Sequence, residues 1–251
     1  HAGPLETARG RFEHPLYDAF LEAGMSRGYR LTEDYNGAQP EGFARLQYTH
    51  THKLLRRCSS AFAYLHRAKS RKNLNVITSA RATRVMIEAG RAIGVEYLHR
   101  NQRCELRAAQ EVLVCSGAYQ SPQLLMLSGI GDPDELASKG IEPTHSLPDV
   151  GYGLQDHFGS FVQHDCLQPI TFYKYRNPFH FSAALAQYFF VRRGPLTVFP
   201  MDAVAHLKSD TALERPDLQI YMFPMAVNPI RENSLWPKSH GFNLHWNVLR
   251  P

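Results

Sequence analysis

Three small residues that follow a strand-like run are the first candidates for chemistry in this sequence. The apolar run Glu111–Cys115 leads directly into Ser116, Gly117 and Ala118. Side chains this small allow a bound group to approach the backbone closely. We therefore expect a buried strand that ends beside a bound molecule.

The residues after this turn carry the signals of a helix. Ser121 is a favourable N-cap, and Pro122 suits the first helical position. Three leucines form an apolar face that ends at Leu127, and Ser128–Gly131 stops the helix. The sequence thus predicts a strand, a turn of small residues and a capped helix over 121–127.

A dinucleotide is usually held by a glycine-rich turn between a strand and a helix N-terminus. No GxGxxG sequence occurs here, and the glycine pairs in Gly129–Gly131 and Gly151–Gly153 lack the final glycine. A nicotinamide enzyme is therefore not indicated. A metal site is not indicated either, because the 13 histidines include no HExxH and the 4 cysteines no CxxC.

The predicted helices and strands that would position these residues follow a different order in the early and the late part of the chain. The periodicity predicts helices over Pro15–Gly24 and Arg57–Ala68, and a hairpin of Thr83–Glu88 with Ala92–Tyr97. Further strands are predicted at Leu74–Thr78, Asp217–Phe223 and Gly241–Leu249, and further helices over Pro133–Lys139 and 179–191. Strands alternate with helices early and are consecutive later. This order predicts a mixed α/β (α+β) fold with an antiparallel sheet in the tail.

Composition limits the class of protein. Hydrophobic residues make up 43% and charged residues 20%, as in a folded globular protein, and the net charge of +5 is scattered. Nucleic-acid binding is therefore not expected. No apolar run is long enough to span a membrane, no signal peptide is visible, and the cysteine pattern suggests reduced thiols, so we predict a cytoplasmic protein. Because the chain begins at His1 and stops after a strand-like run, we expect a piece of a longer protein.

Several motifs resemble those of the glucose–methanol–choline (GMC) flavin oxidoreductases. They are the strand–turn–helix above, Asp34-Tyr35-Asn36-Gly37, Glu41-Gly42-Phe43, Arg71-Lys72-Asn73-Leu74, Gly94-Val95-Glu96-Tyr97 and Val150–His157. One departure occurs at Gly153, where the family usually has Asn. The resemblance covers almost all of residues 1–165 and is strongest to the bacterial choline dehydrogenase branch.

This resemblance implies the middle part of a two-domain fold with FAD as the cofactor. Residues 51–160 would form a segment of the FAD-binding domain. Residues 1–50 and 161–251 would belong to the substrate domain, with its antiparallel sheet. The family's dinucleotide fingerprint lies upstream of these residues, so we expect the 251 residues alone to bind no FAD tightly and to be inactive.

The resemblance also assigns contacts to the cofactor. The backbone of Ala82, where the family usually has Val, would lie against adenine, although a plain strand residue is an equal interpretation. Ser116, Gly117 and Ala118 would lie near the flavin diphosphate and ribityl chain. The family's catalytic base is a His in a His-Pro-x-Gly-Thr context, which none of the 13 histidines has. No catalytic acid or base is therefore assigned within this sequence.

One substrate contact follows from the choline-oxidising branch. A quaternary ammonium donates no hydrogen bonds and is held by a carboxylate and aromatic faces. Choline-oxidising relatives have an acidic residue where the substrate sheet begins, and Asp202 lies at about that place, with Phe199 beside it. The alternative is a solvated Asp202 at the start of a strand, with Phe199 and Phe223 in the core.

The activity implied by the resemblance is oxidation of a primary alcohol, with choline first, by hydride transfer to flavin. The alternatives are an aliphatic or aryl alcohol dehydrogenase of the same family, and a non-catalytic substrate-domain module that does not bind FAD alone. The implied partners are a small-molecule alcohol and an electron acceptor, either oxygen or a quinone. Peripheral membrane association is a further implication of the same resemblance.

Overall fold

The computed structural model describes residues 3–227 and 239–250. The chain divides into two units, of which unit 1 comprises His1–Arg71 with His157–Pro251 and unit 2 comprises Lys72–Asp156. Parts of the predicted segments 1–50 and 161–251 lie outside the described residues. The assignment of the segments to a substrate domain and an FAD domain stays a prediction.

The described residues form short strands and helices, and several strands follow one another without a helix between them. The strands are β1 (Ala8–Arg9), β2 (Gly42–Arg45), β3 (Gln47–Tyr48), β4 (Ala80–Glu88), β5 (Arg91–His99), β6 (Gln102–Arg107), β7 (Ile130–Gly131), β8 (His145–Ser146), β9 (Gly159–Asp165), β10 (Ala203–Leu207), β11 (Leu218–Phe223) and β12 (Gly241–Val248). The α-helices are α1 (Pro15–Ser26), α2 (His66–Ala68), α3 (Gly117–Leu127), α4 (Pro133–Ser138) and α5 (Pro178–Ala186). Turns of π-helix cover Ala61–Leu65 and Gln187–Val191, and 3₁₀ turns cover Phe172–Arg176 and Pro195–Thr197.

Unit 1 is organised around a five-stranded antiparallel sheet in the order β2-β10-β11-β12-β9. Successive side chains of a strand point to opposite faces, and β10 shows this alternation. Ala203 and Ala205 pack in one cluster with Phe43 and residues of α1, whereas Val204 packs with Tyr35 on the other face. Because both faces of β10 are buried, a slip of one residue would exchange the two sets, and the register is strongly specified.

Helix α1 covers one face of this sheet. Its N-cap is His14, whose Nδ1 accepts a hydrogen bond from the Leu16 N–H at 3.2 Å, and Pro15 takes the first helical position. Gly24 brings the helix close to the Phe43 ring, since a Cβ at this position would lie 2.6 Å from ring atoms. Close packing therefore requires this glycine, despite its low helix propensity.

Unit 2 is built on a three-stranded antiparallel meander in the order β4-β5-β6. The turn between β4 and β5 is Ala89-Gly90, and both residues have positive φ, 48° and 76°, as a type I′ hairpin requires. Helix α3 packs against β4, and β7 forms a short parallel pair with β8 beyond it. The hairpin and α3 are the elements that position the predicted cofactor contacts.

The mixed α/β prediction is confirmed, and the elements with strong local signals lie where they are expected. The helix expected over Pro15–Gly24 is α1, which is two residues longer. The hairpin expected from Thr83–Glu88 and Ala92–Tyr97 is β4 with β5. The two strands expected in the tail are β11 and β12, each one residue shorter than predicted.

Two predicted strands, Leu74–Thr78 and Glu111–Cys115, are wrong. Neither segment forms a ladder within the part of the chain that the structure describes. A strand needs a neighbour that pairs with its backbone N–H and C=O groups, and apolar composition does not supply one. Leu113, at the centre of the second segment, is 76% exposed, and none of the residues 111–115 is buried.

The helix predicted over 121–127 begins four residues earlier, at Gly117. Ser121 is therefore not its N-cap. Its hydroxyl instead accepts a hydrogen bond from the Ser116 N–H at 3.0 Å, and Pro122 lies inside the helix. The physical reason is Gly117, whose φ of +87° lets the chain turn into the helix before the Ser-Pro pair is reached.

Candidate cofactor-binding site and substrate cleft

Strand β4 presents an open edge in unit 2. Among the described strands its neighbour is β5 alone, so part of its backbone is not used by the sheet. The register shifts between Ala82 and Arg84, and the Thr83 hydroxyl between them donates to Glu96 Oε1 at 2.9 Å. A bulge of this kind bends the strand and redirects its side chains. Ala82 therefore lies at a bend of an exposed strand edge.

A cleft of about 640 Å³ lies along this edge and along α3. Its lining residues are Ala80, Arg81, Ala82 and Thr83 of β4, with Ser116, Gln120, Gln123, Leu124 and Leu127 from the beginning and one face of α3. The fold thus brings two of the predicted cofactor contacts, Ala82 and Ser116, to one cleft. Gly117 and Ala118 follow Ser116 in the first turn of α3. Contact of these residues with a cofactor stays a prediction.

The N-terminus of α3 is open to a ligand. Ser116 makes no side-chain capping bond, and no described atom lies within 4 Å of the position where a Cβ on Gly117 would be. The first N–H groups of a helix have no partner within it, and the helix dipole favours negative charge at this end. This 11-residue helix can therefore present N–H donors to an anionic oxygen such as that of a phosphate.

Asp202 lies in unit 1, directly before β10, and only 1% of it is exposed. Arg45, the last residue of β2, donates to Asp202 Oδ2 from Nε at 2.9 Å and also from Nη2. Tyr48 donates its hydroxyl proton to Asp202 Oδ1 at 2.9 Å. Burial raises the pKa of Asp202, and the Arg45 guanidinium opposes that rise. A solvated Asp202 is therefore excluded, and its carboxylate is neutralised within the protein.

Arg45 is itself held by several groups. Its Nη2 donates to the Phe12 carbonyl at 2.7 Å, its guanidinium lies 5.2 Å from the centroid of the Tyr17 ring, and its Nη1 is 3.8 Å from Asp18 Oδ1. Burial raises the pKa of Tyr17 and of Tyr48, so both phenols stay protonated at neutral pH. The Tyr48 hydroxyl is thus a permanent donor to the buried carboxylate.

The Asp202 side chain contributes to a cleft of about 540 Å³ in unit 1. The lining residues are Arg9, Gly10, Arg11, Phe12, Glu13, Arg45, Arg193 and Asp202. Four arginines and two acids line this cleft, so its wall is positive. Positive walls attract anions and repel cations.

Phe199 lies apart from this lining. Its ring is 57% exposed, with its centroid 6.4 Å from that of Phe223, so placement of Phe199 in the core is wrong. Its carbonyl oxygen is 3.2 Å from the Tyr48 hydroxyl, which links its backbone to the Asp202 cluster. The backbone of Phe199 is therefore linked to the Asp202 cluster through Tyr48, and its ring does not line the cleft. Substrate binding by Asp202 and Phe199 stays a prediction.

Sequence reasoning missed Arg45 and Tyr48. A buried carboxylate needs a cation and hydrogen-bond donors, so burial of Asp202 would have demanded such partners. The Glu-Gly-Phe motif before Arg45 locates β2, but the pairing of β2 with β10 joins residues 157 positions apart in the chain. Sheet topology, which no local pattern encodes, creates this pair.

Other site chemistries have few candidates in residues 3–227 and 239–250. These residues contain no group of three or more His, Cys, Asp or Glu side chains that could hold a metal ion. They also contain no helix long and apolar enough to cross a membrane. Of the residues predicted from the sequence, Ala82 and Ser116 line the cleft beside β4, and Asp202 lines the arginine-lined cleft of unit 1.

Comparisons with known sequences agree with the motifs. The profile described as GMC oxidoreductase matches residues 2–159. An oxygen-dependent choline dehydrogenase of Brucella anthropi is 37% identical, and the mitochondrial choline dehydrogenase of Homo sapiens is 40% identical, each over 99% of this chain. The chain spans less than half the length of these relatives, 44% and 41%.

Solved structures show the same likeness in three dimensions. Pyridoxine 4-oxidase from Mesorbium loti matches 100% of this chain, and 45% of its own, at a TM-score of 0.77 and 26% identity. A formate oxidase matches 100% of this chain, and 48% of its own, at a TM-score of 0.83 and 21% identity, which concerns the fold alone. From the sequence profile and the relatives together, this chain belongs to the GMC oxidoreductase family.

Proposed function

We propose that the whole protein containing these residues is an FAD-dependent oxidoreductase that acts on the CH–OH group of a primary alcohol. The observation that carries this proposal is the family membership, with relatives named choline dehydrogenase at 37–40% identity along nearly the whole chain. The cleft of unit 2 agrees with it, because two residues that the family resemblance assigns to cofactor contact, Ala82 and Ser116, line the same cleft.

The residues of this cleft fit one part of FAD. The open edge of β4 at Ala82 can offer backbone groups and a small side chain to the flat adenine ring. The α3 N-terminus, with the open space at Gly117, can receive a phosphate or a ribityl hydroxyl. A glycine-rich phosphate-binding loop is absent from the sequence, so these residues would supply only part of the cofactor's contacts.

Within this function the described residues bind and orient. When bound, FAD supplies the hydride acceptor for alcohol oxidation. Ala82, Ser116, Gly117 and Ala118 would position the cofactor, and Asp202 with its partners would shape the substrate side. The base that removes the hydroxyl proton is not assigned to any residue of this chain.

Two classes of alcohol are candidates for the substrate. Choline is the first, because relatives that are 37–40% identical to this chain are named choline dehydrogenase. Uncharged aliphatic or aryl primary alcohols are the second, and a specific observation favours them: the Asp202 carboxylate is already paired with Arg45. A non-catalytic module that binds no FAD is the competing interpretation outside enzyme chemistry.

The whole protein, purified and kept free of oxygen, tests this proposal. On mixing with a panel of primary alcohols that includes choline and uncharged members, at least one alcohol should bleach the flavin absorbance as FAD is reduced. A flavin-loaded protein that no alcohol reduces would contradict alcohol oxidation. A colourless preparation of the whole protein would favour the non-catalytic module.

The electron acceptor is part of the same proposal. Oxygen is the first candidate, because several relatives are named oxygen-dependent, and a quinone at a membrane surface is the second. Consumption of oxygen during alcohol oxidation, compared with reduction of a soluble quinone, separates the two. Binding of the whole protein to vesicles tests peripheral membrane association, which together with a cytoplasmic location remains proposed.

A further inference from the structure

The pairing of Arg45 with Asp202 leaves the carboxylate no free oxygen for a ligand. Arg45 Nε donates to Oδ2 at 2.9 Å, Nη2 lies close to the same atom, and the Tyr48 hydroxyl donates to Oδ1 at 2.9 Å. The Asp202 side chain is 2% exposed, whereas that of Arg45 is 23% exposed. The group that faces the cleft from this pair is therefore mainly the guanidinium, and not the carboxylate.

A quaternary ammonium needs an unpaired negative charge, and the Arg45–Asp202 pair does not offer one. It has no N–H with which to bond a carbonyl or a hydroxyl, so it is held by uncompensated negative charge and by aromatic faces. The charge of Asp202 is compensated by Arg45, and the Phe199 ring does not line the cleft. The cleft also carries Arg9, Arg11 and Arg193 against the single further acid Glu13. Its charge therefore opposes entry of a cation.

Arg45 is fixed in this position and cannot be displaced without loss of other interactions. Its Nη2 also donates to the Phe12 carbonyl at 2.7 Å, and its guanidinium lies 5.2 Å from the Tyr17 ring centroid. The backbone of Arg45 is held as well, because Arg45 pairs with Ala203 in the β2–β10 ladder and the next N–H, of Leu46, donates to the Asp202 carbonyl at 3.0 Å. A substrate cation would have to replace all of these contacts.

We propose that Arg45 is a specificity-determining residue that neutralises Asp202 and so directs the enzyme towards uncharged primary alcohols and away from quaternary ammonium alcohols. This inference rests on the proposed function, because it names the substrate class of that activity. Arg45 is a positioning and charge-setting residue and takes no part in the chemical step. Removal of its charge, with most of its aliphatic stem retained, should release the Asp202 carboxylate for a cation.

The test compares kcat/KM for choline with kcat/KM for its neutral isostere, in which a carbon atom replaces the quaternary nitrogen. The whole flavin-loaded protein is used, as wild type and as Arg45→Met. The wild type should prefer the neutral alcohol by about tenfold or more, and Arg45→Met should shift the ratio towards choline by about tenfold or more. The matched control is Arg107→Met, which breaks an exposed ion pair with Glu88 (3.6 Å) and should leave the ratio unchanged.

A pH profile separates a charge effect from a merely structural one. In Arg45→Met, kcat/KM for choline should rise with pH as Asp202 loses its proton, whereas kcat/KM for the neutral isostere should not follow that titration. A second variant, Arg45→Gln, covers the case in which Arg45→Met does not fold. In that variant the ratio should likewise shift towards choline, because Gln also removes the charge that neutralises Asp202.

Equilibrium binding of tetramethylammonium, measured by calorimetry, gives a readout that does not depend on turnover. The wild type should not bind this cation measurably, and Arg45→Met should bind it in competition with choline. Wild-type preference for choline, tetramethylammonium binding to the wild type, or an unchanged ratio of choline to isostere in a folded Arg45 variant would each overturn the inference. If the loaded protein oxidises no alcohol, the proposed function fails, and tetramethylammonium binding still decides the role of Arg45.

Discussion

The hydroxyl of Ser128 accepts a hydrogen bond from the Val85 N–H at 2.8 Å and donates one to the Leu124 carbonyl at 2.6 Å. Ser128 is 2% exposed, so these bonds are not shared with solvent. The side chain joins the C-terminal end of α3 to the edge strand β4, which are the two walls of the cleft that contains Ala82 and Ser116. The relative position of these walls therefore depends on one buried hydroxyl.

Replacement of Ser128 by Ala should weaken this junction. The Val85 N–H would be left buried without a partner, which costs about 1–3 kcal/mol. Hydrogen–deuterium exchange at the Val85 amide should accelerate accordingly. The matched control is Ser138→Ala, since the Ser138 hydroxyl makes a similar helical bond to the Glu135 carbonyl at 2.7 Å on an exposed surface. Equal protection at Val85 in the two variants would show that the Ser128 bond contributes nothing.

The free energy of unfolding should decrease as the pH is lowered, and His14 should cause part of this decrease. This side chain is 2% exposed, its Nδ1 accepts from the Leu16 N–H, and its Nε2 donates to the Ile170 carbonyl at 2.9 Å. Burial lowers the pKa of His14 below its ordinary value of 6.5, while Lys174 also lowers it and Asp18 raises it. Below about pH 6.5 the unfolded chain therefore binds a proton that the folded chain resists, and the free energy of unfolding decreases.

The variant His14→Asn isolates this contribution. Asn keeps an N-cap oxygen for α1 but cannot titrate, so the decrease in stability between neutral pH and pH ~5 should become smaller. Denaturant unfolding at a series of pH values measures the slope. His180→Asn, at an exposed position on α5, is the control and should leave the slope unchanged. An unaltered slope in His14→Asn would mean that other groups, such as the buried His206, carry the pH dependence.

Local signals in the sequence predict the helices and hairpins whose ends are marked by particular residues. Helix α1 has its Pro15 at the first position, and the β4–β5 hairpin has Ala89-Gly90 at the turn, so both could be located from a few residues. The run Glu111–Cys115 has the apolar composition of a strand, but it pairs with no other strand in the described residues. A strand also depends on a partner that is distant in the chain. Composition predicts an extended run, and only pairing makes it a strand.

The candidate sites show the same difference between what the sequence predicts and what tertiary contacts determine. Ala82 is identified by resemblance alone, and Ser116 also by its place in a turn of small residues. The packing of α3 against β4 explains why they share a cleft. Asp202 was identified as a strand-start acid, but its chemistry depends on Arg45, which the β2–β10 pairing supplies. The residue type at a site could thus be predicted from sequence, whereas its charge state and partners follow from tertiary contacts.

The 251-residue chain by itself should retain no stoichiometric FAD and oxidise no alcohol. Its cleft provides one strand edge and one helix N-terminus, and the sequence has no glycine-rich phosphate loop. With most contacts missing, mass action leaves the cofactor largely unbound. The measurement is the flavin released on denaturation per mole of chain, with the whole protein as the control. One mole of flavin per mole of this chain would contradict the prediction.

The effect of a substitution at Gly117 should depend on how readily the new residue adopts a positive φ. It should not depend on the size of the new side chain. Its φ of +87° is strained for any residue with a Cβ, and most for a β-branched one, whereas the space around its Cβ position is open. In the whole protein, Gly117→Val should therefore release FAD, Gly117→Ala should weaken its retention, and Gly117→Asn should retain most of it. The expected strain for Ala is about 1–2 kcal/mol, which is a five- to thirtyfold loss of affinity when the apoprotein relieves the strain and FAD restores the turn.

The order of the three variants separates strain from steric exclusion by the cofactor. Asn is larger than Ala but adopts left-handed conformations more readily, so conformational strain ranks Asn above Ala in FAD affinity. Steric exclusion by a closely approaching cofactor would rank Ala above Asn. Flavin titration of the apoprotein variants gives the affinities, and circular dichroism checks that each variant is folded. Equal affinities for Val, Ala and Asn would show that the α3 N-terminus does not contact the cofactor.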